Sequence, residues 1–171
     1  MTTMTLSAQE RLLRLLPDTL RATLTIRLFG LMKIPLLLYV RPSVVEISDE
    51  KVVVKIPLRR RTRNHLRAMY FGALAMGADC AGGIIGMKQI MESGEKIALL
   101  FKNLTADFLK RAEGDVYFTC TEGLAISALV REAIQSEERV EMPVHITATV
   151  PDKLGDEPVA LFTLLLSLKK K

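Results

Sequence analysis

Residues 64–83 read NHLRAMYFGALAMGADCAGG, from Asn64 to Gly83. This stretch decides the fold, because one carboxylate, Asp79, sits inside an otherwise apolar run of small residues. An isolated charge withdrawn from water is costly, so it marks a structural network or a functional group. The length of the run and its lack of strict alternation predict a helix from about Ala68 to Met91, with Ser93 and Gly94 as its stop. On that helix the neighbours of Asp79 lie three, four and seven positions away: Gly72, Ala75, Met76, Gly82, Gly83 and Gly86. Four of these six are glycine, although glycine costs about 1 kcal/mol relative to alanine at an interior helix position. Two explanations stand side by side. Small residues let a sheet or helix approach the backbone closely; alternatively, a face stripped of side chains lets a substrate reach the carboxylate. Burial disfavours the charged form of Asp79, which makes it a better base. An ion pair with the neighbouring basic run, or a hydrogen-bonded structural acid, is the structural alternative.

The flanks set this helix in a sheet. From Val44 the pattern becomes V-V-E-I, a turn-like S-D-E-K and V-V-V-K-I-P-L, rich in β-branched residues, which predicts a hairpin. Lys96–Leu109 and Asp115–Glu122 read as two strands joined near E-G-D in a second hairpin. Gly123–Glu138 carries apolar residues at helical spacing. Val140–Val150 alternates as a strand does, and Pro158–Leu168 reads as a final apolar strand. The expected class is α+β, an antiparallel sheet wrapped around one long buried helix.

Before the sheet, Ser7–Glu10 has the form of a capping box and is followed by leucines interleaved with Arg11 and Arg14. Pro17 stops or bends that helix, and Asp18 is placed to cap a second one through about Phe29. Gly30 and Pro35 then bracket a piece read as irregular, LMKIPLLLY. The expected organisation is a helical extension over 1–42 and one domain over 43–171. These leucine-rich helices are also candidates for weak contact with a membrane surface. A membrane-spanning reading of Tyr70–Met87 is disfavoured, since a central Asp costs about 2.5 to 3.5 kcal/mol on insertion scales.

The net charge of +5 is uneven, with Lys55, Arg59, Arg60, Arg61, Arg63 and Arg67 in one short stretch. Such a field attracts nucleic acid, an anionic membrane or a phosphate-bearing ligand. Aromatic residues do not interleave with these arginines, so no nucleic-acid stacking platform is visible. Cys80 and Cys120 lie in apolar segments and read as buried free thiols. The start lacks a basic residue before an apolar run, so a cytoplasmic protein is expected. With two distant histidines and no clustered carboxylates, neither a metal nor another cofactor is expected. His145 falls on the polar side of its strand and should be exposed. No G-x-S-x-G elbow, phosphate loop or dinucleotide fingerprint occurs.

Around Asp79 the sequence resembles the hotdog-fold acyl-CoA thioesterases, especially the phenylacetyl-CoA thioesterase-like branch. That branch carries N-x-x-G-x-x-H-G-G followed by L-x-D, with the Asp seven residues after the last Gly. Aligned without gaps, the motif places its Asn at Asn64, its last Gly at Gly72 and its Asp at Asp79. Arg67, Tyr70 and Phe71 replace its first glycine, its histidine and the first glycine of the pair. The pattern is that of an uncharacterised side branch. The resemblance implies a hotdog fold, a homodimer or dimer of dimers with sites between subunits, and hydrolysis of an acyl-CoA thioester. It implies Asp79 as nucleophile or general base, Asn64 as a positioning group, and the N–H groups at Phe71 and Gly72 as oxyanion donors. Any residue except proline supplies an N–H, so Phe71 retains that capacity. His65, Tyr70, Gly82 and Gly83 are the expected substrate contacts, with a loop or capping role the alternative for His65. Arg61, Arg63 and Arg67 are the expected phosphate contacts, with a solvated loop before the helix the alternative for that basic run. A non-catalytic dimer that binds an acyl chain or fatty acid is the alternative.

Overall fold

The computed structural model describes residues 16–171. The capping box at Ser7–Glu10 and the leucines that follow it up to Leu15 lie outside the described residues. Helices α1 (Asp18–Met32) and α2 (Pro35–Val40) lead into the hairpin β1 (Ser43–Ile47) and β2 (Val52–Ile56). The long helix α3 (Phe71–Ser93) follows, then β3 (Ile97–Phe108), β4 (Val116–Cys120) and α4 (Gly123–Gln135). Strand β5 (Val140–Thr149), the short α5 (Pro151–Leu154) and β6 (Pro158–Lys170) complete the chain.

All six strands form one antiparallel sheet in the order β1-β2-β4-β5-β6-β3. Strand alternation sets its inner face: in β4, Val116, Phe118 and Cys120 are buried while Tyr117 and Thr119 are half-buried. The inner residues of β2, β4, β5 and β6 meet one side of α3 at Ala78, Ala81 and Ile85 in a single core. This is the sheet wrapped around a long helix that was expected. A second helix, α4, shares the core through Ile126, Leu129, Val130 and Ala133, so the buried helix is not single.

The second hairpin is a correction. β3 and β4 do not pair; β3 is the far edge strand beside β6, and β4 lies between β2 and β5. After Phe108 the N–H groups of Leu109 and Lys110 both bond to the carbonyl of Val159, so the chain folds back along β6. Gly114 then packs against Val150, 2.6 Å from where a Cβ would lie. E-G-D is therefore part of a connection across the sheet. Three smaller corrections concern helix ends. The piece 31–39 is not irregular, because Pro35 starts α2, as its fixed φ allows at a first helical position. Asp18 is not a cap: it lies in the first turn of α1, where it pairs with Arg21 at 2.7 Å. Helix α3 begins at Phe71 rather than Ala68, and ends at Gly94, whose φ of 72° suits glycine.

The N-terminal helices are tied to the sheet. Thr23 Oγ1 donates to Thr19 O and accepts from Val44 N, both at 2.8 Å, and Arg27 Nε donates to Pro42 O at 3.1 Å. Among the described residues no helix is long and apolar enough to cross a membrane.

Candidate functional site

The entry to α3 is held by backbone bonds. Thr62 is buried, its hydroxyl donating to Pro57 O at 2.8 Å and accepting from Arg59 N at 2.9 Å. Tyr70 N donates to Thr62 O, and Met69 N to Ala112 O, both at 2.8 Å. Between these anchors 64–68 closes on itself. Asn64 Oδ1 accepts from Leu66 N at 2.9 Å and Ala68 N at 3.2 Å, which leaves its NH2 group available. Arg67, in the place of the motif's first glycine, has φ 65°. The position demands a left-handed residue, and arginine occupies it at a steric cost.

No side chain caps α3. Ala73 and Leu74 N–H reach Tyr70 O, whereas Phe71 and Gly72 N–H find no acceptor among the described residues. These amides form the positive end of the helix dipole and are suited to an oxyanion. The Tyr70 ring lies over Gly72, 2.7 Å from where a Cβ would be. Phe71 is exposed and its ring stands 6.4 Å from that of Phe108 in β3, which in turn meets Phe162 at 6.0 Å.

Asp79 lies eight residues beyond Phe71, about 12 Å along the axis at 1.5 Å per residue. It is half-buried, and among the described residues nothing pairs with its carboxylate or donates to it. Burial raises its pKa above the usual carboxylate value. The ion pair with the basic run is not formed. The glycines around Asp79 divide into two groups. Gly82 and Gly86 are buried, and added Cβ atoms there would meet Phe101 at 3.2 Å and Leu99 at 2.7 Å. Gly83 is half-buried, with Phe101 no nearer than 4.0 Å. Close sheet packing thus explains Gly82 and Gly86, while at Gly83 a Cβ would make only an ordinary contact with Phe101.

The fold gathers three of the sequence candidates, Arg61, Tyr70 and Gly72, around one mainly apolar hollow of about 280 Å³. Leu36 and Tyr39 of the α2 segment and Met76 of α3 complete much of its wall. Arg61 donates to Tyr39 O at 3.3 Å and lies 5.3 Å from the Tyr39 ring centre. Tyr39, Leu36 and Phe108 escaped sequence reasoning, since their only relation to the motif is spatial. His65, Arg63 and Arg67 are exposed and do not line this hollow. His145 is exposed, as expected, but is also gripped by Glu122, whose carboxylate accepts from His145 N at 2.7 Å and meets Nδ1 at 2.8 Å. Both cysteines are buried free thiols. Burial, and secondarily the Asp79 charge, pushes the Cys80 thiol far up, so it is no nucleophile.

Comparison with solved structures places this geometry among known folds. A Chlorobaculum tepidum protein of unknown function has a TM-score of 0.77 at 9% identity, covering 90% of this chain and 97% of its own. A Pseudomonas aeruginosa protein of unknown function, described as "Probable Thioesterase", gives 0.72 at 23% identity over 91% and 97%. A thioesterase variant from Pseudomonas aeruginosa gives 0.64 at 15% over 91% and 96%. At these identities the likeness establishes a shared fold, the hotdog. No curated protein matches the sequence significantly. The family model Domain of unknown function DUF4442 matches residues 23–161, from the middle of α1 into β6, and the chain belongs to that family.

Proposed function

We propose that this protein hydrolyses an acyl-CoA thioester at a site shared by two copies of the chain. The observation that carries the proposal is Asp79: a half-buried carboxylate without a partner among the described residues, with the half-buried Gly83 one turn further along the same helix face. Asp79 takes a proton from the water that adds to the carbonyl carbon, or attacks that carbon itself to give an acyl-aspartyl anhydride that water then hydrolyses to the free acid. On either route the C–S bond breaks and the departing thiolate is protonated. The free N–H groups of Phe71 and Gly72 receive the developing oxyanion. The NH2 group of Asn64 positions water or substrate, and Arg61, Arg63 and Arg67 meet the coenzyme's phosphates.

One carbonyl cannot touch both the start of α3 and Asp79 across about 12 Å. A second copy supplies the missing half. β3 supports this arrangement, because it has a sheet neighbour on one side only, runs for 12 residues and exposes Leu100, Leu104 and Phe108.

The test is thiol release from short, long and aromatic acyl-CoAs. Asp79→Asn should lower kcat on the best substrate by about a hundredfold or more, the scale of general-base catalysis. Undiminished turnover would remove Asp79 from the mechanism. The second reading is a non-catalytic dimer that binds an acyl chain. The Tyr70 ring over Gly72 favours it by crowding the amide donors. Tight acyl-CoA binding without turnover across the panel would select it.

A further inference from the structure

We infer that the corner formed by α1, α2 and the start of β1 docks on a membrane surface carrying anionic phospholipid. Two features meet there. Leu20, Leu24, Leu28 and Leu31 recur at helical spacing on one outer flank of α1 and are all exposed, Leu28 by 54% and Leu31 by 63%. The exposure continues through Met32 and into α2 at Leu36. On a water-facing helix such a run of large apolar side chains is unexplained, because nothing among the described residues covers it. The buried side of α1 is a separate face, made by Thr23, Ile26 and Gly30.

The second feature is a mainly polar hollow of about 380 Å³, lined by Arg27, Arg41, Lys55 and Arg59 together with Ser43 and Asp115. Its single carboxylate is already engaged: Asp115 Oδ1 accepts from Leu58 N at 2.9 Å and Oδ2 pairs with Lys55 at 3.5 Å. Three guanidinium groups remain, and among the described residues no carboxylate pairs with Arg27, Arg41 or Arg59. Arg27 is held in place by its Nε bond to Pro42 O, which leaves its terminal nitrogens to donate. Arg27 belongs to α1 and lies beside the leucine flank, while Arg41 directly follows α2. A phosphate in the hollow and acyl chains under the leucines are the two halves of one phospholipid. This charge complementarity selects a lipid surface over a second copy of the chain, whose matching face would bring the same cations together.

The experiment uses the full chain and the fact that both native cysteines are buried. Leu28→Cys adds one exposed thiol, which a maleimide should modify quickly in buffer and at least about tenfold more slowly with vesicles of phosphatidylcholine and phosphatidylglycerol. Slow labelling in buffer would mean that residues 1–15 or a second copy already covers the flank, and would overturn the proposal. Sedimentation with the same vesicles should fall at least about tenfold in the Arg41→Glu, Arg59→Glu double variant and in Leu24→Asp, Leu31→Asp, with unchanged circular dichroism. Binding should weaken at high salt and persist with millimolar inorganic phosphate. Equal binding to phosphatidylcholine alone, no sedimentation at all, or release by free phosphate would each overturn it.

Discussion

Gly77 of α3 faces the Phe118 ring of β4 so closely that a Cβ would lie 2.2 Å from the ring edge. Phe118 is fully buried among strands and cannot swing away. Gly77→Ala should therefore destabilise the protein by about 1 to 3 kcal/mol, as overpacked cores do. Gly83→Ala is the control: its Cβ would meet nothing nearer than 4.0 Å, so it should gain up to about 1 kcal/mol of helix propensity. Urea melts of the pair check both signs.

Burial of Asp79 makes the stability of the protein depend on pH. It raises the folded pKa of Asp79, whose contribution to stability is therefore fully present below the ordinary carboxylate pKa and is lost as pH rises through the folded value. Asp79→Asn should melt higher than the wild type at neutral pH, and the difference should shrink as pH falls below the carboxylate range. Thermal melts at several pH values measure it. A wild type more stable than the variant at neutral pH would show that the carboxylate is held by a favourable partner. Gained stability together with lost turnover is the trade expected if Asp79 is the proposed base.

Arg67 pays for its left-handed conformation. With φ at 65°, Arg67→Gly should raise stability by about 1 kcal/mol, less whatever glycine adds to the freedom of the unfolded chain. Arg67→Val, β-branched in the same backbone, should lower it. If Arg67 also holds a coenzyme phosphate, Arg67→Gly should raise KM while leaving kcat unchanged, which separates the two roles.

The β3 edge makes a prediction about assembly. Leu104 is exposed there. Leu104→Lys should shift the protein toward monomer in sedimentation velocity and reduce turnover in proportion to the dimer lost, since the proposed site needs both copies. A wild type that sediments as a monomer while retaining activity would exclude the shared site.

Much of the architecture was legible locally. The S-D-E-K turn between two β-branched runs located β1 and β2, and the alternation in Val140–Val150 located β5. The β3–β4 pairing was misread because neighbouring strands usually pair, and E-G-D is compatible with a turn. The strand that pairs with β3 is β6, the last in the chain, and nothing near Lys96–Leu109 identifies it. Likewise the glycines around Asp79 looked alike in sequence. Only the positions of Phe101, Leu99 and Leu164 separate Gly82 and Gly86, packed under the sheet, from Gly83, where a Cβ would make only an ordinary contact.

By itself the sequence determined that a long apolar helix carries one carboxylate among small residues, and which segments are strands. These follow from periodicity, a property of a few adjacent residues. Only the tertiary structure decided which strands touch, that Asp79 lacks a partner among the described residues, and that Arg61, Tyr70 and Gly72 share a hollow with α2. Those outcomes depend on contacts between residues far apart in the chain, formed when the whole sheet closes around α3, and no local pattern encodes them.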